Sequence, residues 1–426
     1  MSGRLDIIVF GATGYTGKEA VLKMVTLAKE KALTWGIAGR NSSKLQSVLK
    51  EVSDKTGADL SSVKTFIADV KDDDSLRDMT KNASALVNCC GPYRFYGEQV
   101  IKACIATKTH HVDVSGEPQF MEKMQLKYHK DAEESGVYVI SACGFDSLVC
   151  EIGILHMMDS FKGQLNSIET YLESEYKGKR QQKGASIHYG TWESAIHSLV
   201  HANELRPLRE QLYPKRLPNF TPKLKPRPIM HKNPVVNKWC LPFPGSDRSI
   251  ALRTQRHFYD YDKKRPIQVQ TYVAFKSFLH TVTVAFVGVI FGLMTKTSFT
   301  RSLLLNHPKL FSCGMVSHEG PPEDERAQVE FSMTFLGEGW SQVNTVPEEE
   351  HTQPPAKKMI TKVSGMDPGY GFTCTALILS AVTVLKEANK MPGKGGVFPA
   401  GAAFANTSLM ADLQSHGLKM EVLSSE

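Results

Sequence analysis

Leu5-Asp6-Ile7-Ile8-Val9-Phe10-Gly11-Ala12-Thr13-Gly14-Tyr15-Thr16-Gly17 joins a short apolar run to three glycines spaced three apart. The run from Leu5 to Phe10 is β-branched and nearly free of charge, the composition of a strand covered on both faces. A helical pattern follows from Lys18 to about Lys31. Between the two, Gly11 permits a tight turn, Gly14 lets the backbone approach a ligand closely, and Gly17 lets the new helix pack against the strand. The start of that helix offers unpaired N–H groups and the positive end of its dipole, which together suit a pyrophosphate. The stretch Gly11, Ala12, Thr13, Gly14, Tyr15, Thr16 and Gly17 is therefore expected to cradle a dinucleotide. The spacing differs from G-x-G-x-x-G, but its place between a strand and a helix is the context such a motif requires.

The second strand, Thr34–Arg40, ends where an NAD-binding chain carries a carboxylate for the ribose 2′-hydroxyl. Here Arg40, Asn41, Ser42, Ser43 and Lys44 follow, with no carboxylate before Glu51. A guanidinium suits a 2′-phosphate, so NADP(H) is expected in preference to NAD(H). Val63–Asp69 reads as a third strand, with Asp69 placed to meet the adenine amino group. Ala85–Cys90 reads as a fourth, with Cys90 and Gly91 at its exit near the nicotinamide half. Gly97–Cys104 continues as a helix, and His110–Val114 and Val137–Ile140 supply two more strands. Residues 1–150 are expected to form one doubly wound Rossmann domain.

At 426 residues the chain is long enough for two or three domains. A net charge of +7 is too mild to argue for nucleic acid. The apolar opening is too short, and too soon followed by glycine, for a secretory leader, so a cytosol-facing, non-secreted protein is expected. Its eight cysteines lack C-x-x-C spacing and are expected as buried thiols. No metal is expected, because His110 and His111 are adjacent and would point to opposite faces of a strand.

The motifs GATGYTG (11–17), AGR (38–40), NCCGPY (88–93), HHVDVSGE (110–117) and CGFDS (143–147), in that order, resemble the saccharopine dehydrogenase superfamily. The resemblance is to the animal saccharopine dehydrogenase-like oxidoreductases, and more distantly to mycobacterial trans-acting enoyl reductases. It resumes at Gly365–His416, around Asp367-Pro368-Gly369-Tyr370-Gly371 and Gly395-Gly396-Val397. It implies an oxidoreductase whose C-terminal helix returns to the first domain. Saccharopine reductases carry G-x-G near the N-terminus, which this chain lacks, and no matched set of arginines for a dicarboxylate stands out. The resemblance to enoyl reductases implies a lipid-like substrate instead.

Groups at the strand ends facing the crevice are the candidates for chemistry. Tyr93 follows the fourth strand and is placed to donate to a developing oxyanion. Asp113, Ser115 and Glu117 follow the fifth; Cys143, Phe145 and Asp146 follow the sixth. Carboxylates after a strand commonly cap the next helix, which is the competing role for Asp113, Glu117 and Asp146. No Tyr-x-x-x-Lys dyad or Ser–His–Asp arrangement is present, so the catalytic residue stays unassigned among Tyr93, Asp113 and Asp146.

Residues 151–365 are expected to form an α+β substrate domain with a mostly antiparallel sheet, its strands at Leu165–Tyr176, Ala185–Tyr189, Gln268–Phe275, Gln328–Phe335 and Met359–Val363. Residues 366–426 are expected to be helical and to pack back on the first domain. Within 201–240, nine Lys or Arg face two Glu among seven prolines. This predicts an extended surface loop without regular helix, either attracted to anionic headgroups or simply solvated. Thr191 is placed near the cap of a helix starting at Gly190.

Ser277–Thr295 carries no formal charge and as a helix would reach about 28 Å. The alternation at Thr281–Ala285 fits a buried strand as well. A monotopic contact or re-entrant hairpin is expected, with Phe275, Phe278, Phe286 and Phe291 entering lipid and Arg301–Leu305 extending the patch. The leading expectation is an NADP(H)-dependent oxidoreductase for a small-molecule or lipid-like substrate, facing the cytosol on a membrane or lipid-droplet surface. The alternatives are a catalytically silent cofactor-binding module, acting as sensor or interaction protein, and a soluble saccharopine-type dehydrogenase. A homo-oligomer stays open.

Overall fold

The computed structural model of the chain describes residues 3–178 and 184–426. Six strands and six helices alternate through the first part: β1 (Leu5–Phe10), α1 (Tyr15–Lys31), β2 (Trp35–Gly39), α2 (Ser42–Thr56), β3 (Lys64–Ile67), α3 (Asp73–Thr80), β4 (Ala83–Asn88), α4 (Tyr93–Thr107), β5 (His110–Asp113), α5 (Pro118–Ser135), β6 (Tyr138–Ile140) and α6 (Phe145–Ser160). The strands form a parallel sheet in the order β6-β5-β4-β1-β2-β3, and Gly396–Phe398 adds a seventh beside β6. Ile7 and Val9 are buried on one face and Ile8 and Phe10 on the other, as expected of a strand covered on both sides. The order reverses between β1 and β4, so their carboxyl ends open the crevice where such sheets bind ligands.

A second sheet is built largely of later strands. β7 (Gln164–Tyr176) pairs antiparallel with Val329–Trp340, which continues to Lys357–Met366 and then Lys419–Ser425. On its other side β7 runs parallel to Gln268–Phe275, and Lys238–Pro242 and His231–Asn233 complete the sheet. The fold is thus α/β, with a Rossmann sheet and a mixed, mostly antiparallel one. α6 is buried along most of its length and leads from the first sheet onto the second, packing on Val329–Trp340 and on helix Asp247–Asp260. One continuous apolar cluster joins Val9 and Val87 of the first sheet to Phe331 and Phe335 of the second.

The region 366–426 divides between the layers. Helix Thr373–Glu387 packs on α1, β4 and β5, whereas Lys419–Ser425 closes an edge of the second sheet. That last strand is half exposed and lacks a clean apolar alternation, which explains its weak signal.

Four local expectations change. The 184–189 stretch forms only the two-residue β8 (Ile187–His188), paired with Val316–Ser317 outside the main sheet. Helix α7 (Tyr189–Val200) is capped by His188, whose ring accepts from the Gly190 N–H, and not by Thr191. The basic, proline-rich run does contain a helix, Leu205–Leu212, with Pro207 in its first turn where a missing N–H costs nothing. Several of its cations are spent internally: Arg209 pairs with Glu122 and Arg227 with Glu169.

The apolar segment is a single helix, Phe278–Met294, capped by Ser277, and not a hairpin or a strand. It spans about 25 Å. Thr281 is buried, while Phe278, Leu279, Phe286, Val289 and Leu293 are each more than half exposed. Phe291 turns inward onto Trp192 at 4.8 Å, and Phe275 is partly covered, so only Phe278 and Phe286 of the four phenylalanines face outward. Leu304 is buried; the exposed large apolar side chains that follow this helix include Phe299, Leu310 and Met315. Of the cysteines, five are buried, Cys89 and Cys90 are partly exposed and Cys313 is exposed.

Candidate dinucleotide site and catalytic crevice

The turn after β1 tolerates no side chain. Gly11 has φ +79°, and a β-carbon there would stand 2.7 Å from the Cys90 sulfur. A β-carbon on Gly17 would stand 2.0 Å from the Gly11 carbonyl oxygen, so α1 lies directly on the turn. Gly14 is exposed, caps α1 without a side-chain bond, and donates its own N–H to the Gly11 carbonyl at 3.0 Å. The first turn of α1 holds no acidic residue. Ala12 is buried, and Thr13 and Thr16 are half-buried beside this open helix end. An unobstructed helix N-terminus over a glycine turn fits a pyrophosphate.

The Tyr15 side chain is engaged within the protein. Its hydroxyl donates to the Pro321 carbonyl, and its ring stacks on His188 at 5.1 Å and meets Tyr370 edge-on at 4.6 Å. Arg40 emerges exposed from the end of β2. Asn41 is committed to capping α2, accepting from the Lys44 N–H at 2.9 Å, and Ser42 opens that helix exposed. Arg40 and Asp69 both act electrostatically on the Cys90 thiol, which burial raises to about 12. These three residues, from three strand ends, therefore converge. The Asp69 carboxylate accepts from the Lys71 N–H at 3.0 Å, and Gly91 is exposed at the crevice.

The three catalytic candidates separate sharply. Tyr93 is buried, donates its hydroxyl proton to the Asn88 carbonyl at 2.9 Å, and burial raises it well above its usual range. Asp113 is fully buried and accepts from the Ser115 N–H and the Ser141 hydroxyl, each at 2.9 Å. Desolvation lifts it to about 7. Both hold strand ends together. Asp146, in the first turn of α6, is open to solvent by area, yet crowded enough that desolvation raises it to about 6.

Two further carboxylates stand behind Asp146. Asp247 is buried against the Cys150 thiol, and burial followed by the charge of Asp146 raises it well above its usual range. Glu151 is buried, accepts from the Thr254 hydroxyl at 2.5 Å, and is raised by desolvation to about 7. The sequence gives no sign of Asp247, which comes from a helix a hundred residues downstream. Glu117 stands at the start of α5 as expected, but its side chain caps α4: its two oxygens accept from the Tyr93 and Arg94 N–H groups, each at 2.9 Å. That cap moves the start of α4 forward to Tyr93. Ser194 of α7 donates to the same carboxylate at 3.1 Å, which ties α7 to the crevice.

Residues 7–140 match the family of saccharopine dehydrogenase NADP-binding domains. The human saccharopine dehydrogenase-like oxidoreductase is 38% identical over 98% of this chain and 97% of its own length. The chain belongs to the saccharopine dehydrogenase-like oxidoreductases. A Caenorhabditis elegans relative, named lipid droplet localized protein, is 34% identical over 99% of both chains. Among solved structures, the saccharopine dehydrogenase (L-Glu forming) of Saccharomyces cerevisiae is similar in fold, with a TM-score of 0.53 and 13% identity, covering 99% of this chain and all of the other. This saccharopine dehydrogenase-like oxidoreductase thus carries an NADP-binding domain in its first third, and its cofactor is NADP(H).

Proposed function

We propose that this protein is an NADPH-dependent reductase of an apolar carbonyl or enoyl compound, working at a lipid surface with Asp146 as its proton donor. The observation that carries the reading is α7. Its Trp192 ring packs on Phe291 of the exposed apolar helix, and two residues on, Ser194 bonds to the Glu117 carboxylate at the crevice. One short helix therefore links the surface suited to lipid with the suggested reaction site. The lipid-droplet name of the worm relative supports the same setting.

When bound, NADPH supplies hydride to the substrate carbon. The Gly11–Gly17 turn and the end of α1 would hold its pyrophosphate, and Arg40 its 2′-phosphate. Asp146, raised to about 6, keeps part of its proton near neutral pH and gives it to the oxygen or carbon that gains negative charge. Desolvation alone favours that protonated form.

NADPH oxidation by purified protein, measured with long-chain aldehydes, ketones and enoyl thioesters, tests the proposal. Turnover of at least one, lost on Asp146→Asn, is expected. Binding of NADPH without turnover of any would favour a silent cofactor-binding module, a reading to which the internal engagement of Tyr93 and Asp113 lends weight. Turnover of saccharopine alone, with no retention on lipid, would replace the proposal with a soluble amino-acid dehydrogenase.

A further inference from the structure

Away from the glycine turn, a cavity of about 830 Å³ lies between the basic, proline-rich segment and helix Asp247–Asp260. That volume is within the roughly 300–1,000 Å³ of small-molecule pockets. Its wall has two chemistries. Leu205, Leu217, Phe220, Leu252 and Ile267 give it an apolar side. Five arginines and Lys223 line it too, against Glu210 as the one lining carboxylate.

The cations are not all neutralised. Arg206 pairs with Glu210, Arg209 with Glu122 and Arg256 with Asp260. Arg253, buried, donates through Nε at 3.0 Å to Gln125, a neutral amide, and acts electrostatically on the buried Glu151 without an ion pair to it. Arg216 and Lys223 are exposed and pair with no carboxylate among the described residues. A buried amide completes the wall: Gln255 is 2% exposed, its oxygen accepts from the Ile267 N–H, and its nitrogen has no partner among the described residues. A buried donor left without an acceptor is costly, and a bound acceptor would relieve it.

We propose that this cavity is a second ligand site, which binds a single-chain amphiphile with an anionic head, the head meeting Arg216, Lys223 and Arg253 and the chain lying on the apolar wall. The apolar side offers burial and dispersion only, so it recognises hydrocarbon; the uncompensated cations recognise a carboxylate or phosphate. One ligand that satisfies both is an anionic amphiphile. The site shares no residue with the glycine turn and does not depend on the reductase reading.

Calorimetry with the full chain, at ligand concentrations below micelle formation, tests this. Dodecanoate and dodecyl phosphate are expected to bind, the tighter of the two naming the head group. Dodecanol and dodecyltrimethylammonium should bind at least about tenfold more weakly, and inorganic phosphate not at all. Shortening the chain should weaken binding by roughly two- to fourfold per methylene. Leu252→Trp, which fills the cavity, should abolish binding while NADPH binding persists. Should that variant not fold, the exposed pair Arg216→Glu with Lys223→Glu decides: it should lose the preference for anions and leave NADPH binding unchanged. Equal binding of dodecanol, displacement by inorganic phosphate, or affinity that survives the cavity variants and falls only with charges placed on the Phe278–Met294 helix would overturn the proposal.

Discussion

Arg326, at the end of the short helix Glu323–Arg326 before the second sheet's longest antiparallel pairing, forms a buried ion pair with Glu19 of α1. The same guanidinium lies 3.4 Å from Asp367, just before the C-terminal helix. Three distant segments meet there, against the helix that follows the glycine turn. Removing one partner strands a buried carboxylate, so Arg326→Met should cost about 3 kcal/mol of unfolding free energy. The double variant with Glu19→Gln should recover much of it. Denaturant unfolding of the three proteins measures this; equal losses in the single and double variants would count against it.

The proposed cofactor site divides recognition between the turn and Arg40. Gly17→Ala drives a methyl into the Gly11 carbonyl and should abolish binding of NADPH and NADH alike. Arg40→Ala should weaken NADPH by about ten- to a hundredfold, as for a lost charged hydrogen bond, and leave NADH nearly unchanged. Fluorescence titration with both dinucleotides distinguishes the two, and equal weakening by Arg40→Ala would remove the case for the 2′-phosphate.

The hydroxyl of Tyr93 and the carboxyl of Asp146 predict opposite mutant behaviour. Tyr93→Phe removes two internal hydrogen bonds, to the Asn88 carbonyl and from the Val114 N–H, and should cost about 1–2 kcal/mol of stability with turnover retained. Asp146→Asn should keep stability and lower turnover by about a hundredfold or more. Steady-state rates beside melting curves check both, and full activity in Asp146→Asn would send the search for a proton donor elsewhere.

Acid groups buried in the fold give its stability a direction with pH. Asp113 and Glu151 are held near 7, against roughly 4 in an unfolded chain. Between pH 4 and 7 the folded state therefore binds more protons than the unfolded one, and the stability these groups contribute falls as pH rises through that window. The melting temperature of Glu151→Gln should change less between pH 5 and 7.5 than that of the parent. A profile just as steep would show that Glu151 is not among the groups responsible.

The exposed helix is expected to govern attachment to lipid. Phe286→Glu with Val289→Glu changes two side chains that touch solvent across most of their surface, so folding should survive. Flotation with phospholipid vesicles should fall severalfold while NADPH binding holds. Unchanged flotation would place the lipid contact elsewhere.

The first sheet was legible because its signals are local: a strand, a glycine turn and a helix follow one another within residues 5–31, and the pattern recurs. Other features depend on partners far away in the chain. Nothing near Tyr93 announces that Glu117 will cap its helix, and nothing near Asp146 announces Asp247. The alternation of Thr281–Ala285 suited a strand, but a lone uncharged segment with no neighbour to pair with satisfies its backbone as a helix. Pro207 misled in the opposite sense, because a first helical turn accepts proline.

Tyr138 finds its outer neighbour in Gly396, and Ser364 finds its own in Lys419. Both layers consequently stay open along one border until late in translation, when those border strands leave the ribosome. A nascent or truncated chain would present two unpaired edges at once, the surface on which chaperones act and from which aggregation starts.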